Sequence, residues 1–212
     1  MSQEQWTAVD RYFEGLLVQQ DGAFDAALAA SAEAGLPAIQ VTPSQGKFLH
    51  LLARMQGARR ILEIGTLGGY STLWLASSLP TGGQLITLEA NPKHAEIARA
   101  NIMRAGLAAV VEIRVGRALD ILPQLLAEGR GPFDLFFIDA DKPGTTDYFA
   151  WALKLARQGS IIIVDNVVRR GDVINGDSED PDVQAMRRFN EALAAERRVT
   201  AAALQTVGSK GY

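Results

Sequence analysis

Ile61-Leu62-Glu63-Ile64-Gly65-Thr66-Leu67-Gly68-Gly69-Tyr70-Ser71 is the stretch on which the fold turns. An apolar run begins at Arg60, breaks at Gly65, and passes through a glycine turn into a helical pattern. A strand that hands over to a helix through glycines is the repeating unit of a doubly wound, mostly parallel α/β sheet. The rhythm continues outward. Strands are expected at 60–64, 84–88, 110–114, 133–138 and 160–164, with helices near 91–105, 117–128 and 146–156 between them. Ile161-Ile162-Ile163-Val164 is the extreme case of a nearly continuous apolar strand, which a sheet covered on both faces requires. Upstream, three helices are expected. Residues 3–19 space Trp6, Val9, Phe13, Leu16 and Leu17 helically; residues 22–34 are alanine-rich; residues 44–56 put Phe48, Leu49, Leu52 and Met55 on one face. Residues 200–207 read as a sixth strand, and 169–182 as one long polar loop of the kind that is often functional.

Composition narrows the chemistry. The 212 residues are 48% hydrophobic and 21% charged, enough for one packed domain and too apolar for a disordered chain. Residues 1–57 then form a helical extension and 58–212 the α/β core of a single domain. Lys and Arg number 21 against 24 Asp and Glu, a formal net charge of -3, which is no footprint for nucleic acid. There is no cysteine, so disulfides, Cys-zinc sites and thiol nucleophiles are excluded, and two histidines leave little for a His-rich metal site. No leader-like basic and apolar pair opens the chain and no apolar run is long enough for a bilayer, so a cytoplasmic protein is expected. Carboxylates, amides, hydroxyls, lysine or a borrowed group must carry the reaction.

The glycine turn is a place for a ligand to approach the backbone, and the following helix start favours anionic groups. It is not the dinucleotide fingerprint G-x-G-x-x-G, because Leu67 stands where the second glycine admits a pyrophosphate. Glu89, at the end of the second strand, is placed to accept hydrogen bonds from ribose hydroxyls. An ordinary turn with a surface glutamate is the plain alternative; both features on neighbouring strands favour a nucleoside cofactor. Asp139 and Asp165 each end a strand, where open α/β sheets bind ligands, and Asn166 adds an amide oxygen. Two carboxylates and an amide suit Mg²⁺, with Mn²⁺ or Ca²⁺ as substitutes; alternatively these residues only cap loops. Lys142 is either a base beside that cluster or a surface lysine.

The 61–71 stretch resembles motif I of class I S-adenosylmethionine-dependent methyltransferases, and in particular the cation-dependent O-methyltransferases that act on catechols and caffeoyl-CoA. The resemblance continues through Leu88-Glu89-Ala90-Asn91-Pro92, Gly116-Arg117-Ala118-Leu119-Asp120-Ile121-Leu122-Pro123, Phe137-Ile138-Asp139-Ala140-Asp141-Lys142 and Val164-Asp165-Asn166-Val167, covering roughly 39–168. It implies an S-adenosyl-L-methionine site in which Glu63, Gly65, Thr66, Leu67, Gly69 and Tyr70 surround the methionine part and Ser71 holds its carboxylate. Glu89 and Ala90 would meet the ribose, Gly116, Arg117 and Ala118 the adenine, and Val41 and Asp139 the region of the reactive methyl. It implies a divalent cation, Mg²⁺ first, on Asp139, Asp165 and Asn166, and a catalytic Lys142. Asp141 stands where the catechol enzyme has an aromatic clamp, which implies a more open or polar acceptor side. The implied acceptor is a small hydroxylated molecule with vicinal oxygens; a hydroxylated tRNA base is the alternative that the acidic charge disfavours. N-terminal helices of the family help form dimers, so a homodimer is implied, with plain core packing of Trp6 and Phe13 as the other reading. Relatives also continue beyond Val207-Gly208-Ser209-Lys210-Gly211-Tyr212 with a further apolar strand, so a gap or rearranged sheet edge is expected there. An NAD-dependent dehydrogenase is opposed by Leu67, and a non-catalytic module by the intact ligand set and lysine. A serine hydrolase lacks its second glycine and its histidine.

Overall fold

The computed structural model describes residues 2–18 and 21–210. Three helices come first: α1 (Gln3–Leu17), α2 (Gly22–Glu33) and α3 (Pro43–Gln56). Local chemistry sets their starts. Ser2 and Asp21 cap α1 and α2, and Thr42 with Gln45 forms a reciprocal capping box at α3, whose first helical residue is Pro43. The first helix ends at Leu17 with Val18 as its cap, and Gln19, the last residue its spacing predicts, lies outside the described residues. Phe13 is half exposed rather than a core residue. Among the described residues no helix is long and apolar enough to cross a membrane.

The α/β core follows the expected rhythm: β1 (Arg60–Ile64), α4 (Tyr70–Ala76), β2 (Gln84–Glu89), α5 (Pro92–Arg104), β3 (Val111–Val115), α6 (Ala118–Ala127), β4 (Phe133–Ile138), α7 (Thr145–Leu155), β5 (Ala156–Val164) and α8 (Pro181–Ala195). The strands form one parallel sheet in the order β3-β2-β1-β4-β5. The order reverses between β1 and β4, and open sheets of this kind bind ligands at that switch, outside the carboxyl ends of the strands. Strand β4 is buried along its whole length, and each such large apolar side chain contributes about 1.5–3 kcal/mol through burial. One core face joins Leu49, Ile61, Leu73, Trp74 and Phe137 to the N-terminal helices; the other joins Leu62, Leu122, Phe136 and Ala152. Asp134 of β4 accepts the backbone N–H of Arg59 and Arg60 at 2.7 and 2.9 Å and fixes where β1 enters the sheet.

The expected sixth strand is not formed. Residues 201–207 run outside any ladder, and Leu204 and Val207 stay exposed. Apolar alternation describes a chain able to lie on a pleated surface; the hydrogen-bonding partner has to come from another strand. The polar loop after β5 is partly ordered as a 3-10 segment, Arg169–Ile174, in which Arg169 and Arg170 have left-handed backbone angles.

Candidate active site

The five strands end on one cavity of about 890 Å³. It is lined by residues at or just past the ends of β1 (Gly65, Thr66, Leu67), β2 (Glu89, Ala90), β3 (Gly116, Arg117, Ala118), β4 (Asp139 to Lys142) and β5 (Asn166), with Ile39, Gln40 and Val41 as the wall from the N-terminal part. Tyr70 and Ser71 complete the lining at the start of α4.

At the glycine turn the backbone approaches its neighbours as closely as glycine allows. Gly65 has φ 97°, and a Cβ there would lie 2.1 Å from the Asp139 carbonyl oxygen. The turn after β1 therefore rests on the end of β4 that carries Asp139. Leu67 is left-handed at φ 49°, a conformation that costs a non-glycine residue and must be held by its surroundings. Glu89 does the holding. Its carboxylate accepts the N–H groups of Leu67 (2.8 Å), Thr66 (3.1 Å) and Asn91 (2.9 Å), and His94 Nδ1 stands 3.6 Å away. Behind this layer lies Glu63, fully buried, accepting the hydroxyls of Ser71 at 2.7 Å and Thr72 at 2.5 Å. Burial pushes the Glu63 carboxyl up to about 7, against the pull of those hydroxyl donors.

At the other end Asp139 and Asp165 follow β4 and β5, strands paired in parallel with Ile138 beside Val164. Lys142 is buried and its Nζ donates to Asp139 Oδ1 at 3.0 Å. It opens a short 3-10 turn capped by Asp141, whose carboxylate accepts Gly144 N–H at 3.0 Å and the Tyr148 hydroxyl at 2.5 Å. Burial and the Asp141 charge both push the Tyr148 phenol up, so it stays a donor. Asp165 accepts the Asn166 N–H at 2.7 Å, and Asn166 is left-handed at φ 62°. Burial raises the Asp165 carboxyl above its ordinary range, and the Asp139 charge raises it further.

Of the residues expected from sequence, Val41, Gly65, Thr66, Leu67, Tyr70, Ser71, Glu89, Ala90, Gly116, Arg117, Ala118, Asp139, Lys142 and Asn166 line the one cavity. Glu63, Gly69 and Asp165 are not in its lining. Glu63 acts from behind Ser71; Gly69 packs against Ala98 of α5; Asp165 is tucked beside Asn166. Sequence reasoning takes His94 for a half-exposed helix residue and passes over Tyr148; both line the cavity. His94 sits five residues after Glu89, a spacing that the α5 start converts into contact; nothing local pairs Tyr148 with Asp141 until the 3-10 turn is formed.

A parallel sheet with a ligand cavity at its switch point, carrying a glycine turn and paired carboxylates, is the arrangement of a nucleotide-type cofactor enzyme. The sequence model of the O-methyltransferase family matches residues 23–209, and the chain belongs to that family. It is 55% identical over 212 residues to a protein of Niastella koreensis named catechol O-methyltransferase, covering 100% of this chain and 96% of the relative. Among solved structures, the O-methyltransferase from Bacillus cereus in complex with SAH superposes with a TM-score of 0.98 at 59% identity, over 100% of this chain and 96% of that one. The O-methyltransferase TomG from Streptomyces achromogenes, solved with SAM, superposes with a TM-score of 0.96 at 53% identity, over 100% and 95%.

Proposed function

We propose that this S-adenosylmethionine-dependent O-methyltransferase methylates one hydroxyl of a small acceptor with two adjacent phenolic oxygens, assisted by a divalent cation on Asp139, Asp165 and Asn166. The observation that carries the reading is the continuity of one cavity from Glu89 and the glycine turn to Asp139, Lys142 and Asn166. Donor and acceptor ends thus share one enclosure. The relative from Niastella koreensis bears the name of an enzyme for such acceptors.

The donor set fits a hard cation. Two carboxylates and an amide supply only oxygens, and among the described residues no three His, Cys, Asp or Glu side chains gather into a competing metal site. The raised Asp165 carboxyl and the ammonium on Asp139 both mark a place where positive charge is favoured. Held there by Asp139, Asp165 and Asn166, a divalent cation would supply Lewis acidity that favours the deprotonated form of the acceptor hydroxyl. S-adenosylmethionine supplies an electrophilic methyl whose bond to sulfur breaks as the bond to oxygen forms.

The residues of the chain do the rest. Glu89 holds the Thr66 and Leu67 amides in place and offers its remaining acceptor capacity to ribose hydroxyls. Ser71, fixed by Glu63, faces the cofactor carboxylate from the start of α4. Lys142 Nζ, buried at the junction of the two ends, takes the hydroxyl proton as the neutral amine and then, as the ammonium paired with Asp139, leaves the acceptor oxygen deprotonated and nucleophilic. Val41 closes the cavity over the reacting atoms, so that the largest contribution is the near-attack alignment of oxygen and methyl. The exposed apolar residues of α1 (Val9, Tyr12, Phe13 and Leu16) support a homodimer in which residues 1–57 also border the acceptor end.

The test is mass spectrometry of a mixed panel of catechol, a caffeoyl-type CoA ester and tRNA, incubated with S-adenosylmethionine and Mg²⁺. A methyl ether of catechol is the expected product. Methylation confined to tRNA would replace this reading with the hydroxylated-base alternative.

A further inference from the structure

The segment after the unformed sixth strand returns to the active site. Gly208 and Ser209 are tied to α1: Gln3 Nε2 donates to the Gly208 carbonyl at 2.8 Å, and Ser209 N–H donates to Asp10 Oδ2 at 2.6 Å. The next residue, Lys210, reaches across to the loop between α2 and α3. Its Nζ donates to the Ile39 carbonyl at 2.9 Å and also to the Gln40 carbonyl. Ile39, Gln40 and Val41 are the wall of the cavity on that side. Lys210 is exposed and meets this wall at two residues that line the cavity, within reach of the Asp139 and Asp165 charges.

Val41 is anchored by burial in the core, and the other backbone hydrogen bonds around the wall are local. The Ile39 N–H bonds locally to the Pro37 carbonyl, and the Thr42 N–H belongs to the α3 capping box. The two consecutive carbonyls between them are met by one ammonium, whose charge makes these bonds stronger than neutral ones. We propose that Lys210 is a positioning residue for methyl transfer, which acts by clamping the Ile39 and Gln40 carbonyls and so fixes the wall against which the acceptor is aligned. This rests on the acceptor reading above for its substrate, but the clamp itself is a property of the chain.

The experiment compares the parent with Lys210→Met, which keeps the aliphatic stem and removes the donors, and Lys210→Arg, which keeps a cation. Two readouts are taken. Hydrogen–deuterium exchange of the peptide covering 38–42, in protein loaded with S-adenosylhomocysteine, is expected to speed up in K210M and return towards the parent in K210R. With catechol as acceptor, K210M is expected to raise KM about tenfold, with kcat and the Kd for S-adenosylmethionine changing far less, and K210R to recover most of the loss. Unchanged exchange at 38–42 overturns the clamp. Faster exchange with an unchanged acceptor KM overturns the positioning role, as does a K210R enzyme no better than K210M. If the parent leaves catechol unmethylated, the acceptor reading has failed and the exchange arm alone decides the clamp.

Discussion

At the end of β1 and β2 the polar groups of the cavity are already matched inside the chain. Glu89 takes three backbone N–H groups, and Glu63 takes two hydroxyls. At the ends of β4 and β5 the balance is different. Burial and the Asp139 charge raise the cost of ionising Asp165, and Lys142 donates to Asp139. The first region is preorganised, so a cofactor bound as proposed would meet a surface that needs little rearrangement. The second is left with unmet negative charge, and a bound cation would complete it. One half of the cavity is thus finished by the polypeptide, and on the proposed reading the other would be finished by what binds.

The largest effect should follow where the two halves touch. Gly65→Ala would place a methyl group against the Asp139 carbonyl from a left-handed backbone, so both ends should fail together. A loss of about 3 kcal/mol or more in unfolding free energy, measured by urea denaturation, is expected. A stable G65A protein would show that the contact between the halves is slack. Lys142→Met separates them instead. It should lower kcat by about 10²–10⁴ while calorimetry finds S-adenosylmethionine bound as in the parent. Equal losses in kcat and cofactor affinity would mean that the lysine serves the fold.

The smallest effect lies in the finished half. The Glu63 carboxyl titrates near 7 when folded and near 4.5 when unfolded, so the folded protein holds the extra proton between those values. Stability from this group is present below about pH 4.5, falls as pH rises towards 7, and is then flat. Glu63→Gln should flatten that part of a Tm-against-pH curve measured without ligand. A parallel curve for E63Q would place the ionisation elsewhere.

The finished half is also the more legible in sequence. The glycine turn, Leu67 and Glu89 lie within 25 residues, on adjacent strands whose apolar runs announce a sheet covered on both faces. Asp139, Asp165 and Lys142 were readable for the same reason, since strand ends converge once the sheet is parallel. The sixth strand was misread because residues 200–207 have strand-like composition and no ladder neighbour. Lys210 was invisible because its partners lie 170 and 171 positions away, a pairing that no local pattern encodes. Glu63 was assigned to the cofactor, and burial places it one layer behind, where it orders Ser71.

The contrast between the finished and unfinished halves reduces to a claim about the cation. The direct measurement is initial-rate methyl transfer from S-adenosylmethionine to catechol, in chelator and after stepwise return of Mg²⁺, with cofactor binding followed by calorimetry in the same buffers. The rate should fall to background in chelator and recover with Mg²⁺, while S-adenosylmethionine binding in chelator stays within a few-fold of its value with the cation. An undiminished rate in chelator would contradict the account, because the oxygen cluster would then be working without the cation proposed for it.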